Sequence, residues 1–234
     1  MHLDVRDAAR FLGVDESTLG RWARRGEVRS RLVHDQLQFD RIDLLEFASN
    51  RGIPVPPEML AGESDSGPLP RLTDAVRTGG VFEGVPGTDR ASVLRAVVDR
   101  LPVPASLDRD FLHQMLLARE QLGSTGLGNG IALPHPRNPI VLRVNAPAVA
   151  ICYLAHPIDY QALDGKPVHT LFTLVSPSVR VHLHLLAVLG AALHDPAVLA
   201  ALARRAGAPE LVPLLDAVEA ALAARRAGAG GEPA

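Results

Sequence analysis

The composition shifts sharply between Pro54 and Pro70, and that shift divides the chain. The segment opens with Pro54-Val55-Pro56-Pro57 and runs through Gly62-Glu63-Ser64-Asp65-Ser66-Gly67-Pro68. Proline fixes the backbone and removes donors, and a Gly/Ser/acidic run has little apolar surface to bury, so this stretch reads as a linker. It separates a small module over residues 1–53 from a larger one over 71–226, with 54–70 between them. Residues 227–234 are rich in Gly and Ala and are expected to form a disordered tail. A chain of 234 residues, 47% of them apolar, can fill cores in two modest domains. The formal net charge of −2 gives no global field of the kind that marks a nucleic-acid binder. The sole cysteine, Cys152, lies in the apolar run Val149-Ala150-Ile151-Cys152-Tyr153-Leu154 and reads as a buried strand thiol. No apolar stretch approaches the length of a membrane span, and the start lacks a charged-then-apolar signal pattern. A cytoplasmic protein without membrane insertion is expected.

The small module carries three short helical patterns. Asp4 caps a helix with Ala8, Ala9 and Leu12 on one face, ended by Gly13. Asp15 caps a second with Leu19, Trp22 and Ala23, ended by Gly26. The tight turn Gly13-Val14-Asp15 between them predicts a helix-turn-helix. Extended runs at Val28 to Val33 and Leu37 to Phe39, joined by His34-Asp35-Gln36, suit a β-hairpin wing. Asp40 then caps a third helix with Ile42, Leu45 and Phe47. Ala8-Ala9, Leu12-Gly13-Val14, Ser17-Thr18, Trp22 and Gly26 together resemble the excisionase/MerR-like winged helix-turn-helix. The resemblance implies a DNA reader whose second helix presents Thr18, Arg21, Arg24 and Arg25, with Arg29 just beyond. Trp22 shares a face with Leu19 and is assigned to the core. The competing reading makes these arginines a solvated face or a protein contact. One small reader makes few base contacts, so a homodimer would help.

In the larger module, Asp89 to Leu101 and Asp108 to Leu122 read as amphipathic helices. Asn145 to Ala155 and Pro167 to Ser176 are strand candidates, followed by helices over Val179 to His194, Pro196 to Ala206 and Pro209 to Arg225. Mixed elements of this kind predict a layered α/β/α domain. The run from Gly79 to Gly87 is glycine-rich, and no role is read for it. Four glycines, at 123, 126, 128 and 130, precede an apolar run that delivers His135 to a corner between Pro134 and Pro136. Such glycines allow backbone N–H groups close to an anion, and an imidazole near neutrality can present a nitrogen lone pair. The spacing is not a dinucleotide fingerprint, since a strand-like run follows instead of a helix.

Arg119-Glu120, Gly123-Ser124-Thr125-Gly126, Gly128-Asn129-Gly130, Ala132 and Pro134-His135 resemble the signature of enzyme IIA domains of the bacterial sugar phosphotransferase system. The branch is the fructose/mannitol and nitrogen-regulatory one. Downstream, Ser176-Pro177 and His182-Leu183-His184-Leu185-Leu186 match the family's second histidine. The fold class implied is α/β: a three-layer α/β/α domain with a mixed sheet, preceded by the small winged helix-turn-helix. The resemblance implies that His135 accepts a phosphoryl group from the histidine-containing phosphocarrier protein through the ring nitrogen distal to the backbone. His182 is the second catalytic member, expected as a partly protonated donor. Arg119 is expected to contact phosphate with its fork, or to pair with a neighbouring carboxylate. Ser124 and Thr125 donate to phosphate or merely shape the turn. His184 points about 200° away from His182 on a helix and cannot share the site, which also argues against zinc there. No metal or cofactor is called for. An enzyme IIB or a regulatory target protein is a further expected partner. The chain carries no transport domains, which favours regulation over bulk sugar transport. The rival reading is a DNA-binding regulator whose larger domain senses a ligand or partner without phosphotransfer.

Overall fold

The computed structural model describes residues 2–33, 36–51, 53, 68–137, 139–142 and 144–229. The small module begins with strand β1 (His2–Leu3), then helices α1 (Val5–Leu12) and α2 (Glu16–Arg24). Strands β2 (Arg31–Val33) and β3 (Gln36–Asp40) form the wing, and helix α3 (Arg41–Arg51) closes the module. Asp4 and Asp15 cap as their positions predict, accepting from Asp7 N at 2.8 Å and Thr18 N at 2.7 Å. Gly13 sits left-handed at φ 64°, the conformation that lets the chain reverse between α1 and α2. The wing carries a third strand not read from the sequence: β1 pairs antiparallel with β3, His2 opposite Asp40 and Leu3 opposite Phe39. Two residues are too few for a periodicity signal. Most of the expected linker, 54–67, lies outside the described residues, as do residues 34 and 35 of the wing turn.

The larger module has α4 (Leu72–Gly79), β4 (Val81–Val85), α5 (Arg90–Arg100), α6 (Arg109–Gln121), β5 (Gly126–Gly128), β6 (Ile131–Ala132), β7 (Ala148–Ile158) and β8 (Val168–Val175). Helices α7 (Val179–Ala192), α8 (Pro196–Ala203) and α9 (Ala208–Ala229) complete it. Residues 227–229 of the expected tail are helical, since α9 continues through Ala229, and residues 230–234 lie outside the described residues. The strands form one five-stranded sheet in the order β4-β7-β8-β6-β5. It is mixed: β4–β7 and β6–β8 run parallel, β7–β8 and β5–β6 antiparallel. Alternate residues of β7 serve opposite faces. Val149, Ile151 and Tyr153 join the cluster that includes Val76 of α4, Leu185 of α7 and Leu211 of α9. Ala150, Cys152 and Leu154 join Val93 of α5 and Leu116 of α6 on the other side. The result is three layers with helices on both faces. Cys152 is fully buried, and burial pushes its thiol up to about 12.

The run from Gly79 to Gly87 proves to be the end of α4 and the edge strand β4. A Cβ at Gly79 would lie 2.2 Å from the Val149 carbonyl, so only glycine lets α4 cross β7 this closely. Helix α4 has no side-chain cap of its own. The Glu219 carboxylate of α9 supplies it, accepting from Leu72 N at 2.6 Å and Thr73 N at 3.2 Å. Among the described residues no single helix is long and apolar enough to cross a membrane.

Candidate functional site

The β5–β6 hairpin brings the glycine-rich stretch back along the strand leading to His135. Leu133 N donates to Thr125 O at 3.1 Å, which sets Gly123 to Thr125 beside the Leu133 to His135 segment. The Gly128–Gly130 turn lies at the other end, roughly 15 Å away at strand rise. Its contacts are with protein: Asn129 N donates to Asp164 Oδ2 at 3.0 Å, and a Cβ at Gly130 would fall 2.2 Å from His169 Nε2. The distal glycines serve a tight hairpin against β8, and at the near end the amides of Gly123, Thr125 and Gly126 donate to Glu120 and Ser124, so none of these is offered as the expected anion cradle.

His135 sits just beyond β6, with Pro134 O accepting from Leu174 N of β8 at 3.1 Å. Its Nδ1–H donates to the Leu133 carbonyl at 2.7 Å. A carbonyl can only accept, so this bond fixes the tautomer and assigns the ring's lone pair to Nε2. His182, in the first turn of α7, stacks obliquely on it, ring centroids 5.2 Å apart and planes inclined by 52°. His182 Nδ1 lies 2.9 Å from the Ser176 hydroxyl. Its Nε2 is buried with no hydrogen-bond partner among the described residues.

Burial, with the Arg119 charge adding to it, pushes His135 down to about 4. Burial chiefly, then His135 and Arg119, holds His182 well below the ordinary histidine value. Both imidazoles are therefore neutral at pH 7. The expectation of a partly protonated His182 is corrected accordingly. In the neutral ring one nitrogen carries the proton, and the Ser176 hydroxyl can serve Nδ1 as donor or as acceptor. His184 faces elsewhere, its Nε2 donating to Pro70 O at 3.1 Å.

Arg119 is buried on α6 and donates from Nη1 to Gly123 O at 2.8 Å. It lies within electrostatic reach of Glu120, Arg29, Asp43 and Arg137. The hydroxyls of Ser124 and Thr125 are committed: Ser124 Oγ donates to Tyr160 O at 2.5 Å, and Thr125 Oγ1 is hydrogen-bonded to the Glu120 carboxylate. Both residues shape the turn here, and neither offers its hydroxyl proton to His135.

The small module sits directly over this site. Helix α3 packs on α7, and Leu44, Leu45 and Ala48 belong to one continuous apolar cluster with Val181 and Leu185. Arg137, two residues past the histidine, donates to Asp43 Oδ2 at 3.1 Å and lies 3.7 Å from Asp40. Arg29 Nη1 is 3.9 Å from Asp43, and a Cβ at Gly123 would lie 2.5 Å from Arg29 Nη2. His135 is left 1% exposed. Arg29, expected to read DNA, lies at the seam with the histidine domain, its side chain 38% exposed. Asp40, expected as a helix cap, is the last residue of β3 and directly precedes α3, and its carboxylate also lies 3.7 Å from Arg137. Asp40 and Asp43 were not read as site residues, because nothing in the local pattern of one module announces its seam with another. Arg21, Arg24 and Arg25 remain on the exposed face of α2. Thr18 Oγ1 donates to Asp15 Oδ2 at 2.9 Å and accepts from Arg21 at 2.7 Å.

Comparison with known proteins matches this organisation. Residues 80–217 fit the family model described as "Phosphoenolpyruvate-dependent sugar phosphotransferase system, EIIA 2", and residues 3–52 fit "Helix-turn-helix domain". The nitrogen regulatory protein of Pseudomonas aeruginosa is 38% identical over 119 residues, covering 49% of this chain and 73% of the relative. That of Escherichia coli is 39% identical over 94 residues, 38% of this chain and 55% of the relative. The crystal structure of nitrogen regulatory protein IIA-Ntr from Neisseria meningitidis superposes with a TM-score of 0.54 at 27% identity, covering 62% of this chain and 98% of that one. The layered sheet, the paired histidines and these matches agree: the chain belongs to the EIIA 2 family of the phosphoenolpyruvate-dependent sugar phosphotransferase system, with a helix-turn-helix domain at its N-terminus.

Proposed function

We propose that His135 takes a phosphoryl group through Nε2 from a histidine-containing phosphocarrier protein, and that the chain uses this mark in regulation. One observation carries the reading: the Nδ1–H bond to Leu133 O places the lone pair on Nε2. In the transfer, a bond forms between Nε2 and phosphorus while the donor's nitrogen–phosphorus bond breaks, and the donor imidazole keeps that electron pair. The Leu133 carbonyl then holds the Nδ1 proton as positive charge develops on the ring. Arg119, buried nearby, and His182 Nε2–H offset the phosphoryl charge. The names of the nitrogen regulatory relatives support a regulatory use. Bulk sugar transport through an enzyme IIB is the lesser reading.

Incubation with the phosphocarrier system and labelled phosphoenolpyruvate tests this. Acid-labile label is expected on the wild type and absent from His135→Ala; a wild-type protein that takes up none defeats the reading. The 1% exposure of His135 favours a second reading, in which the IIA domain is a partner-sensing module without phosphotransfer. In that case His135→Ala leaves DNA binding and every regulatory response intact.

A further inference from the structure

A phosphorylated donor must bring its phosphorus into bonding range of His135 Nε2. With the small module seated, the ring is 1% exposed, and α3 covers the helix that bears His182. The seam is closed by charge as well as by apolar packing. Asp43, whose side chain is 9% exposed, stands between Arg137 at 3.1 Å and Arg29 at 3.9 Å, and Asp40 lies 3.7 Å from Arg137. Arg137 belongs to the histidine segment itself. The module therefore brings two carboxylates and one guanidinium, Arg29, to a pocket whose own side carries Arg119 and Arg137 against one buried carboxylate, Glu120, which is hydrogen-bonded to Thr125. Arg41, next in sequence, lies over the Phe11 ring within the small module at 5.7 Å.

We propose that the helix-turn-helix module is a lid over the histidine pair, latched by Asp40 and Asp43 on Arg137 and released when phosphoryl charge competes for that cation. This rests on the acceptor reading of His135. A phosphoryl group brings close to two negative charges at neutral pH. Set beside Asp43 in a poorly hydrated seam, it repels both latch carboxylates and draws Arg137 to itself. The same charge thus weakens the latch from both of its ends. The donor's docking face and the lid's docking face are one surface, so the lid and the donor exclude each other. Arg21, Arg24 and Arg25 are exposed with the lid shut, so opening changes where the DNA-reading face is held and not whether it is uncovered.

The test compares the full-length wild type with Asp40→Asn/Asp43→Asn, an isosteric pair of changes that removes the latch charge and leaves the apolar seam. Initial rates of label transfer from the phosphocarrier are measured, together with amide hydrogen exchange in α3 and α7 before and after phosphorylation. If closure limits access, the rate scales with the open fraction, and the double variant gains about ten-fold. Wild-type α3 and α7 lose protection on phosphorylation, while the unphosphorylated double variant already shows that loss. Equal rates in the two proteins, or unchanged or increased protection in phosphorylated wild type, overturn the lid. If neither protein takes up label, the acceptor reading falls and the lid falls with it.

Discussion

His135 and His182 are two neutral imidazoles buried against each other, and their chemistry follows from that burial. His135 is pushed to about 4 by desolvation, with Arg119 adding to it, and His182 is shifted the same way. The sign of the pH dependence is fixed by this. Between pH 6.5 and about 4 the unfolded or opened form binds protons that the closed form refuses, so stability rises with pH and is lost on acidification. The slope expected is about 1.4 kcal/mol per pH unit for each proton refused. Urea midpoints at pH 7.5, 6 and 5 measure it, and His135→Gln should flatten the curve. On the proposed acceptor role of His135, His182→Ala removes a neighbouring ring from the site and leaves His135 in place. Label uptake should fall by about 10²-fold without vanishing, a loss typical of one electrostatic donor. His135 was legible in the sequence because the signature from Arg119 to His135 is local, and His182 because it follows Ser176-Pro177 in a second short run. Their protonation was not, since it depends on how deeply folding buries both rings and on the Arg119 charge set beside them.

At the level of elements, what could be read was what the chain states locally. Asp4, Asp15, Asp89 and Asp108 each cap the helix that begins beside them, so those helices were predictable from residue type alone. Helix α4 escaped because its cap is Glu219, 147 residues away. Strand β4 escaped because Gly84 breaks its short apolar run and Gly79 and Gly80 stand just before it, the first of them answering to β7 and not to any local pattern. Gly79 makes this testable. Any side chain there meets the Val149 backbone at 2.2 Å, and backbone in the middle of a sheet cannot give way as a flexible side-chain tip can. Gly79→Ala should destabilise the larger module by about 2 kcal/mol or more, the cost of overpacking a filled site. It should lower the urea midpoint with little change in slope. Gly13→Ala, where a Cβ would meet nothing within 4 Å, carries only the strain of its left-handed backbone and should cost less.

The whole molecule places a helix-turn-helix and a buried histidine pair on opposite sides of one seam, and this divides the arginines of the small module by position. Arg21, Arg24 and Arg25 lie on the exposed face of α2, while Arg29 is turned to Gly123 and Asp43. With a net charge of −2, the chain has no global attraction for a polyanion, so any DNA affinity must come from that one face. Each arginine that contacts phosphate adds about one unit to the salt slope, and each that reads a guanine edge contributes about 1–3 kcal/mol of discrimination. Arg21→Ala/Arg24→Ala should therefore lower affinity for a genomic target by about 10²-fold or more, and the slope of log K against log salt should shrink by up to about 2. Arg29→Ala is the informative control. If the α2 face alone reads DNA, removing Arg29 leaves both the affinity and the salt slope unchanged while loosening the seam, seen as faster hydrogen exchange in α3. A gel-shift series across salt concentrations with these three proteins separates the alternatives. Loss of binding in Arg29→Ala equal to that in the double variant would mean that the module meets DNA detached from the histidine domain.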